Sequence, residues 1–394
     1  MLNLNVGEII TLHIGEIANG GHFLARYKNQ VIFVRHAIKG EIAKVKITFI
    51  NSKLAFGDAI EIINPSKDRV VSPCKYSKPG GCGGCDFQHI SISKQVDFKK
   101  KIIQDQFNHI AKISITPDFI STEPSNGLNW RTRLDLTISE NGKVGLNVYR
   151  SNIVVEIAKC QIALKNINSS GLFSKKWKRE GRLKVSYSSG NNINISQLGE
   201  KIFGSDKLKE FVEDKTYTIS PQSFWQSHKN APLLLLQQVI KLADIKIGDK
   251  ICDLYGGAGL FTLPMSKLTK ENGEVHLIER DYSCIQDSRK MFQNFKNIFI
   301  HHGKVEQKLG SIKKIDIIVL DPPRNGASKQ VINQMIDKKP KSIIYVSCNP
   351  STLARDTKIL LNNNYILDKI IGLDLFPMTH HIECIASFKK NYYK

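Results

Sequence analysis

The sequence predicts an α/β protein with a mainly β N-terminal part and a doubly wound parallel sheet near its C-terminus. From about residue 216 onward, helical segments alternate with short apolar strands, which is typical of a parallel sheet with helices on both faces. Residues 1–63 contain short strands separated by glycines, a pattern that favours a small closed barrel of the OB type. The chain of 394 residues is long enough for several domains of this size.

We therefore predict a barrel in residues 1–63, a mainly β central domain in residues 64–215 and the α/β domain in residues 216–394. Within the central domain, residues 91–112 predict one amphipathic helix, whose apolar stripe we expect to pack on the α/β domain. The run Lys99-Lys100-Lys101 is expected outside this stripe.

The charge of the chain indicates a polyanionic partner. The formal net charge is +21 and the pI is about 9.5, which suits nucleic acid. AT-biased coding offers a second explanation for part of this charge, because Ile, Lys and Asn are frequent throughout. No apolar run has the length of a membrane span, and the N-terminus lacks a signal-peptide pattern. We expect a cytoplasmic monomer that contacts nucleic acid and no membrane.

A glycine-rich turn marks a nucleotide-type pocket in the α/β domain. Residues 250–254 form a strand, the turn Tyr255-Gly256-Gly257-Ala258-Gly259 follows, and residues 260–263 open a helix. Glycines let the backbone approach a ligand, and a helix N-terminus offers free N–H groups. Glu279 ends the next strand, where an acidic residue suits two ribose hydroxyls. These features fit NAD and S-adenosylmethionine equally.

Two further strand ends predict chemistry at the same sheet edge. One strand runs into Asp321-Pro322-Pro323-Arg324, whose prolines form a rigid lip that positions Asp321 over the pocket. Methyltransferases that act on bases often carry such a lip, whereas a dehydrogenase does not need one. The strand of residues 342–346 ends at Ser347-Cys348-Asn349-Pro350, at the edge where open α/β sheets bind ligands. Cys348 is either a nucleophile or a small buried hydrophobe.

Three segments together resemble the RNA uridine-C5 methyltransferase family, which includes bacterial tRNA and 23S rRNA enzymes. They are Asp321-Pro322-Pro323-Arg324, Ser347-Cys348-Asn349-Pro350 and His381-Ile382-Glu383. The resemblance covers nearly the whole chain, and the N-terminal barrel resembles the TRAM domain of the rRNA members. It implies a Rossmann-like S-adenosylmethionine methyltransferase domain, with Cys348 as the nucleophile and Glu383 as the general base. The residues that it implies as S-adenosylmethionine contacts are Gln226, Tyr255, Glu279 and Asp321. The sequence departs from the family pattern at Gly256, Leu260 and Gly303.

A cluster of cysteines predicts metal or cluster ligands in the central domain. It comprises Cys74, Cys82 and Cys85, in a chain without the pattern of a disulfide framework. Zinc is one interpretation, although zinc ribbons usually carry two Cys-x-x-Cys knuckles and only one is present here. The family resemblance favours a [4Fe–4S] cluster with Cys160 as the fourth ligand. The remaining cysteines are expected in the core: Cys252, Cys284 and Cys384.

The implied chemistry requires one cysteine and one carboxylate. Carbon 5 of uracil is a poor nucleophile until a thiolate adds to carbon 6, and a base must later remove the carbon-5 proton. The target base must also leave its stack, so a loop or folded segment of 23S rRNA is the expected substrate. The alternatives are a tRNA substrate, a cytosine-C5 enzyme and a non-catalytic RNA-binding assembly factor. Trp130-Arg131-Thr132-Arg133 predicts either a base-stacking contact or a strand edge with a core tryptophan.

Overall fold

The structure is a computed structural model that describes residues 4–28, 30–51, 54–178 and 180–392. The extreme ends of the predicted first and last domains, residues 1–3 and 393–394, lie outside the described residues. The N-terminal strands are β1 (Ile9–Ile17), β2 (Phe23–Tyr27), β3 (Gln30–Arg35), β4 (Ile42–Ile50) and β5 (Ala55–Asn64). They close into a barrel in the order β1-β2-β3-β5-β4. Alternate side chains point inward, and fully buried Val34, Val45 and Ile47 fill the barrel.

The middle of the chain contributes a long helix and an antiparallel sheet. Its elements are α1 (Ile92–Gln106), a π-helical turn (Phe107–Ala111), β6 (Asp118–Ile120), β7 (Arg133–Ile138), β8 (Val144–Asn147), β9 (Val154–Glu156), α2 (Lys165–Asn168), β10 (Gly181–Tyr187), β11 (Ile193–Gln197), β12 (Glu200–Gly204), β13 (Leu208–Val212) and β14 (Lys215–Ile219). The sheet has the order β12-β11-β10-β7-β8-β9, and β13 pairs with β14 as a separate hairpin.

The C-terminal part alternates helices and strands. Its elements are α3 (Ala231–Ala243), β15 (Lys250–Leu254), α4 (Thr262–Thr269), β16 (Glu274–Glu279), α5 (Tyr282–Phe292), β17 (Ile298–His302), α6 (Val305–Lys308), a 3₁₀ turn (Leu309–Ser311), β18 (Ile317–Leu320), α7 (Lys329–Lys338), β19 (Ser342–Ser347), α8 (Pro350–Leu361), β20 (Tyr365–Leu373) and β21 (Glu383–Lys390).

These strands form a mixed sheet with the order β17-β16-β15-β18-β19-β21-β20-β6. Neighbouring strands from β15 to β19 are parallel, whereas β21 runs antiparallel between β19 and β20. Every residue of β18 and β19 is buried, as expected for strands that helices cover on both faces. The predicted α/β fold class with an OB-type barrel is confirmed.

The helix predicted over residues 91–112 is observed as α1 and its π-helical continuation. Its apolar stripe packs in one core with the barrel and α8. The prediction that Lys99 lies outside this stripe was wrong, because Lys99 is fully buried. Its Nζ lies 2.6 Å from Asp374 Oδ1 and 3.0 Å from the Phe376 carbonyl oxygen. A partner 275 residues away compensates the buried charge, which a local sequence pattern cannot reveal.

Two other expectations concern buried side chains. Trp130 is 1% exposed and stacks on His228 at 5.3 Å between ring centroids, so the core interpretation of this tryptophan is confirmed. The three cysteines that the sequence placed in the core are buried: Cys252, Cys284 and Cys384. Within the described part of the chain, none of the helices is long and apolar enough to cross a membrane.

The buried ion pair gives a first prediction. Lys99→Ala leaves the Asp374 carboxylate buried without its cation, so we expect the free energy of unfolding to fall by about 3–5 kcal/mol. The measurement is urea denaturation followed by circular dichroism. Lys94→Ala, which removes an exposed cation from the same helix, is the control and should cost about 0.5 kcal/mol or less. Equal losses in the two variants would contradict the importance of the buried pair.

Candidate active site

Cys348 lies directly after β19, at the carboxyl edge of the sheet, and its side chain is half-buried. The next residue, Asn349, caps α8 by accepting a hydrogen bond from the Ser351 N–H, and its Nδ2 donates to the Arg324 carbonyl oxygen at 3.1 Å. This turn therefore joins the Asp321–Arg324 lip to the cysteine. Burial, reinforced by the nearby Glu383 and Asp321 carboxylates, raises the pKa of the Cys348 thiol to about 12.

Glu383 opens β21, the strand that pairs with β19. The register pairs Ser347 with Cys384, so Cys348 and Glu383 are the residues immediately beyond that pair, at the same sheet edge. Glu383 is 4% exposed, and its Oε1 has no hydrogen-bond partner among the described residues. Burial, together with the nearby Asp321 carboxylate, raises its pKa well above the ordinary value. A carboxylate in this environment is a strong base once it is ionised.

Asp321 follows β18 and faces the same site. Gln226 Nε2 donates a hydrogen bond to Asp321 Oδ2 at 3.4 Å, which joins the segment before α3 to the lip. Burial, together with the Asp253 carboxylate, raises the pKa of Asp321, whereas the hydrogen bond from Gln226 opposes this increase. The structure thus places four sequence-predicted residues at one edge: Cys348, Glu383, Asp321 and Gln226.

Asp253 is a site residue that the sequence analysis did not identify. It lies in β15, and its carboxyl is 1% exposed. Thr262 Oγ1 donates to Oδ2 at 2.6 Å, whereas Oδ1 has no partner among the described residues. Burial, with a contribution from the Glu279 carboxylate, raises its pKa to about 7. An acidic residue within an apolar strand, just before a glycine-rich turn, was the available signal.

Glu279 and the glycine-rich turn form the other wall of the pocket. Glu279 Oε2 accepts a hydrogen bond from the Gly257 N–H at 3.0 Å, and Oε1 accepts from the N–H groups of Arg280 and Asp281. Tyr255 begins the turn with a left-handed φ of 59°. A Cβ on Gly259 would lie 2.5 Å from the Phe292 ring, so only glycine allows this close packing.

The electrostatics of the pocket indicate the class of ligand. Glu279, Asp253, Asp321 and Glu383 line one region, and the last three have raised pKa values because burial disfavours the charged form. A cationic ligand would compensate these carboxylates, whereas the pyrophosphate of NAD would be repelled by them. This arrangement favours S-adenosylmethionine, which carries a sulfonium and an ammonium group, over the dinucleotide that the sequence alone left open.

The loop before Glu383 is held by residues from the central part of the chain. Gln95 Oε1 accepts from the Met378 N–H at 2.9 Å, and the N–H groups of Asp86 and Phe87 donate to the Met378 carbonyl oxygen. The Asp86 carboxylate lies 2.6 Å from His380 Nδ1. Although burial opposes ionisation, His380 and Arg35 lower the pKa of Asp86 to about 2. These contacts fix the segment that leads into the proposed base.

The predicted cluster ligands lie near one another. Burial raises the pKa of Cys82 to about 11, with further contributions from Cys160 and Cys74. Cys160 and Cys82 also raise the pKa of fully buried Cys85. The described residues nevertheless contain no group of three or more His, Cys, Asp or Glu side chains arranged to hold a metal ion.

Comparisons with known proteins identify the family. Residues 288–391 match the tRNA (Uracil-5-)-methyltransferase family, and residues 3–60 match the TRAM domain. An uncharacterized RNA methyltransferase of Streptomyces avermitilis is 32% identical over 426 residues, covering 97% of this chain and 98% of the relative. The chain belongs to the RNA uracil-C5 methyltransferase family. The prediction that this protein is an enzyme is thereby confirmed.

Two further matches extend over nearly the whole chain. An uncharacterized RNA methyltransferase of Caldanaerobacter subterraneus subsp. tengcongensis is 27% identical over 453 residues, covering 98% of this chain and 99% of the relative. The crystal structure of Pyrococcus abyssi tRNA (uracil-54, C5)-methyltransferase in complex with S-adenosyl-L-homocysteine aligns with a TM-score of 0.72 and 21% identity. It covers 96% of this chain and 100% of that one, so the two share the whole fold. The predicted cofactor, S-adenosylmethionine, agrees with this family and fold.

The buried carboxyl of Asp253 gives a prediction for stability against pH. Folding raises the pKa of Asp253 to about 7. Ionising the buried carboxyl lowers the free energy of unfolding, and this loss is absent below the pKa of the unfolded chain and complete above about pH 7. We expect Asp253→Asn to stabilise the ligand-free protein by roughly 2–4 kcal/mol near pH 8 and to have little effect near pH 4. Urea denaturation at both pH values measures this difference. Asp135→Asn, at an exposed carboxylate, is the control and should show no such pH dependence.

Proposed function

We propose that this enzyme transfers a methyl group from S-adenosylmethionine to carbon 5 of a uridine in RNA, through a covalent adduct between Cys348 and carbon 6. The observation that carries this proposal is the position of Cys348 beside Glu383 at one sheet edge, where a buried carboxyl oxygen has no hydrogen-bond partner in the described parts of the chain. A thiol and a carboxyl are the two groups that this reaction needs.

The reaction divides between these two side chains. The Cys348 thiolate adds to carbon 6, and the electron pair of the ring double bond makes carbon 5 nucleophilic. When bound, S-adenosylmethionine supplies an electrophilic methyl group, which carbon 5 takes. The Glu383 carboxylate then removes the carbon-5 proton, the double bond re-forms, and the Cys348 sulfur leaves. Burial raises the pKa values of both groups, and neighbouring carboxylates raise them further.

The pocket beside Cys348 would hold the methyl donor. Glu279 is positioned for the ribose hydroxyls, and Tyr255 lies on the turn that follows β15. Asp321, oriented by Gln226, stands between this pocket and Cys348. Their carboxylates compensate the positive charge of the donor, which in turn lowers the pKa of the neighbouring thiol.

We infer that the RNA is 23S rRNA, because the barrel and the cysteine cluster resemble the rRNA members of the family. The net charge of +21 suits any folded RNA and does not discriminate between substrates. A tRNA substrate is the second candidate, supported by the Pyrococcus abyssi enzyme, whose name specifies uracil 54 of tRNA. The chain is proposed to act in the cytoplasm as a monomer.

Two substitutions test the mechanism and the substrate together. Glu383→Gln keeps the nucleophile but cannot remove the carbon-5 proton, so a denaturation-resistant protein–RNA adduct should accumulate in the presence of S-adenosylmethionine. Cys348→Ala should form neither this adduct nor 5-methyluridine. The measurement is denaturing electrophoresis after incubation with purified 23S rRNA or with tRNA, and mass spectrometry locates the modified uridine.

The RNA that is trapped identifies the substrate, and we expect 23S rRNA. Normal turnover by Cys348→Ala would disprove the adduct mechanism. If both variants are inactive and neither traps RNA, Glu383 is a positioning residue and not the base. If the unmodified enzyme binds RNA tightly and methylates neither substrate, the assembly-factor alternative is favoured.

We further propose that four cysteines hold a [4Fe–4S] cluster: Cys74, Cys82, Cys85 and Cys160. The observation that supports it is proximity: burial raises the pKa values of three of these thiols, and the neighbouring cysteines add to the increase at each of Cys82, Cys85 and Cys160. The cluster would tie the loop of residues 74–85 to Cys160 on the central domain, a structural role.

Iron and sulfide analysis tests this cluster. Protein purified without oxygen should be brown and contain about four iron and four sulfide per chain, the content of one [4Fe–4S] cluster. Cys85→Ser should lose most of the iron, because it removes a fully buried ligand, whereas Cys384→Ser changes an unrelated buried thiol and should keep it. Colourless protein with one zinc per chain would disprove the cluster and support the zinc alternative.

A further inference from the structure

A groove outside the catalytic pocket lies where the barrel meets the segment of residues 147–152. Gly83 and this segment line an open cavity of about 460 Å³, which we call the Arg150 groove. Cys82 pairs with Val148 in an isolated bridge, which joins the cysteine loop to the segment that lines the groove. None of the residues assigned to the methyl donor or to the reaction lines it.

Aromatic and guanidinium groups are layered at this groove. Exposed Arg150 places its guanidinium carbon 4.8 Å from the centroid of the Phe56 ring and 5.3 Å from that of Tyr149. Arg35 lies 4.0 Å from the Tyr149 centroid. The barrel extends this layer through Phe33, which stacks on Phe56 at 5.1 Å and 22°. Successive flat cationic and aromatic surfaces are the means by which proteins bind unpaired bases.

Arg150 lies in the turn between β8 and β9. Its φ is 54°, and the Ser151 N–H donates a hydrogen bond to the Val148 carbonyl oxygen at 3.0 Å. This turn holds the exposed arginine at the end of the hairpin, beside the barrel residue Phe56.

Two buried polar atoms next to the layer lack protein partners. Within the described residues, His22 Nε2 and Arg35 Nε make no hydrogen bond, although these residues are only 5% and 8% exposed. The His22 ring packs 5.7 Å from Tyr149 and 5.4 Å from Phe56. Unsatisfied buried groups are costly, so a ligand with polar edges would gain binding energy here.

A chain of contacts connects the groove to the proposed catalytic centre. An Arg35 nitrogen lies 3.4 Å from Asp86 Oδ1, and the other Asp86 oxygen lies 2.6 Å from His380 Nδ1. His380 is three residues before Glu383. Three side chains, Arg35, Asp86 and His380, therefore connect Tyr149 at the groove to the loop that leads into the active site.

We propose that the Arg150 groove binds an unpaired nucleobase of the RNA, near the uridine that enters the catalytic pocket. The base would stack on the Arg150 and Tyr149 planes, and its phosphate would meet the positive charge of Arg150. This inference rests on the proposed function for the identity of the RNA. It concerns a base-binding subsite, so binding can test it independently of methyl transfer.

The experiment measures binding of two fluorescent probes by anisotropy: a short single-stranded oligouridylate and an abasic ribose-phosphate oligomer of equal length. Removing one base–aromatic contact costs about 1–3 kcal/mol, so Tyr149→Ala should weaken oligouridylate binding roughly tenfold or more. Binding of the abasic probe should change little. Arg150→Lys keeps the charge and removes the plane, so it should show the same base-dependent loss. Arg150→Ala should in addition reduce the slope of log affinity against log salt by nearly one.

Lys390→Ala is the matched control. It removes another cation that lies over an aromatic ring, at 5.5 Å from the Tyr392 centroid. Lys390 ends β21, whereas Glu383 begins it, so the two lie at opposite edges of the sheet. This variant should bind the oligouridylate as the unmodified enzyme does, apart from a small salt-dependent loss.

Cross-linking of the unmodified enzyme gives a second measurement that no folding defect can affect. A 4-thiouridine oligonucleotide irradiated in the complex should attach to the peptide that contains Tyr149 and Arg150. The base subsite would be overturned if Tyr149→Ala and Arg150→Lys weakened binding of both probes equally. Cross-links confined to other surfaces would overturn it as well. Methylation by an Arg150→Lys enzyme with unchanged RNA affinity would reject the groove and leave the proposed function intact. If the variants lose base-dependent affinity but the unmodified protein methylates no uridine, the groove is supported and the proposed function is rejected.

Discussion

The antiparallel pairing of β19 with β21 is the interaction on which the candidate active site depends. β19 ends at the carboxyl edge of the sheet, and β21 begins at that same edge because it runs in the opposite direction. Cys348 and Glu383, far apart in the chain, are thereby placed side by side by backbone hydrogen bonds. A parallel strand at this position would put its first residue at the opposite edge, so the reversed strand is what permits a thiol and a carboxyl to act on one base.

The remainder of the fold holds this edge in position. The segment between β20 and β21 is bonded to Gln95 and Asp86 and is fixed by the buried pair of Lys99 and Asp374. The β6 strand of the central segment also adds to the sheet beside β20. The cysteine loop, the barrel and the catalytic sheet therefore meet at one loop. The segment next to Cys85 is thereby in direct contact with the loop that leads to Glu383.

Burial of carboxyl groups is the main cost of the site. Asp253, Asp321 and Glu383 all have raised pKa values in the absence of a ligand, because each loses hydration and lies near another acid. A positively charged methyl donor would stabilise the ionised carboxylates. The free energy of donor binding is therefore linked to the protonation of these three acids. The proposed Arg150 groove has the opposite sign, because its exposed side chain is an arginine. Under that proposal, the pocket for a cationic donor is separate from a cationic surface for RNA.

The sequence by itself determined the fold class, because the change from short, glycine-punctuated strands to alternating helices and strands is a local pattern. It also predicted Cys348 and Asp321, since both stand at the ends of strands, and the family resemblance added Glu383 and Gln226. Tertiary structure alone decided the rest. Lys99 belongs to a polar run in the sequence, yet the ion pair with Asp374 makes its burial possible. The sequence could not decide whether Trp130 contacts RNA or packs in the core. The layer of Arg150, Tyr149 and Phe56 joins residues from two domains, and only folding brings those rings and charges within contact distance.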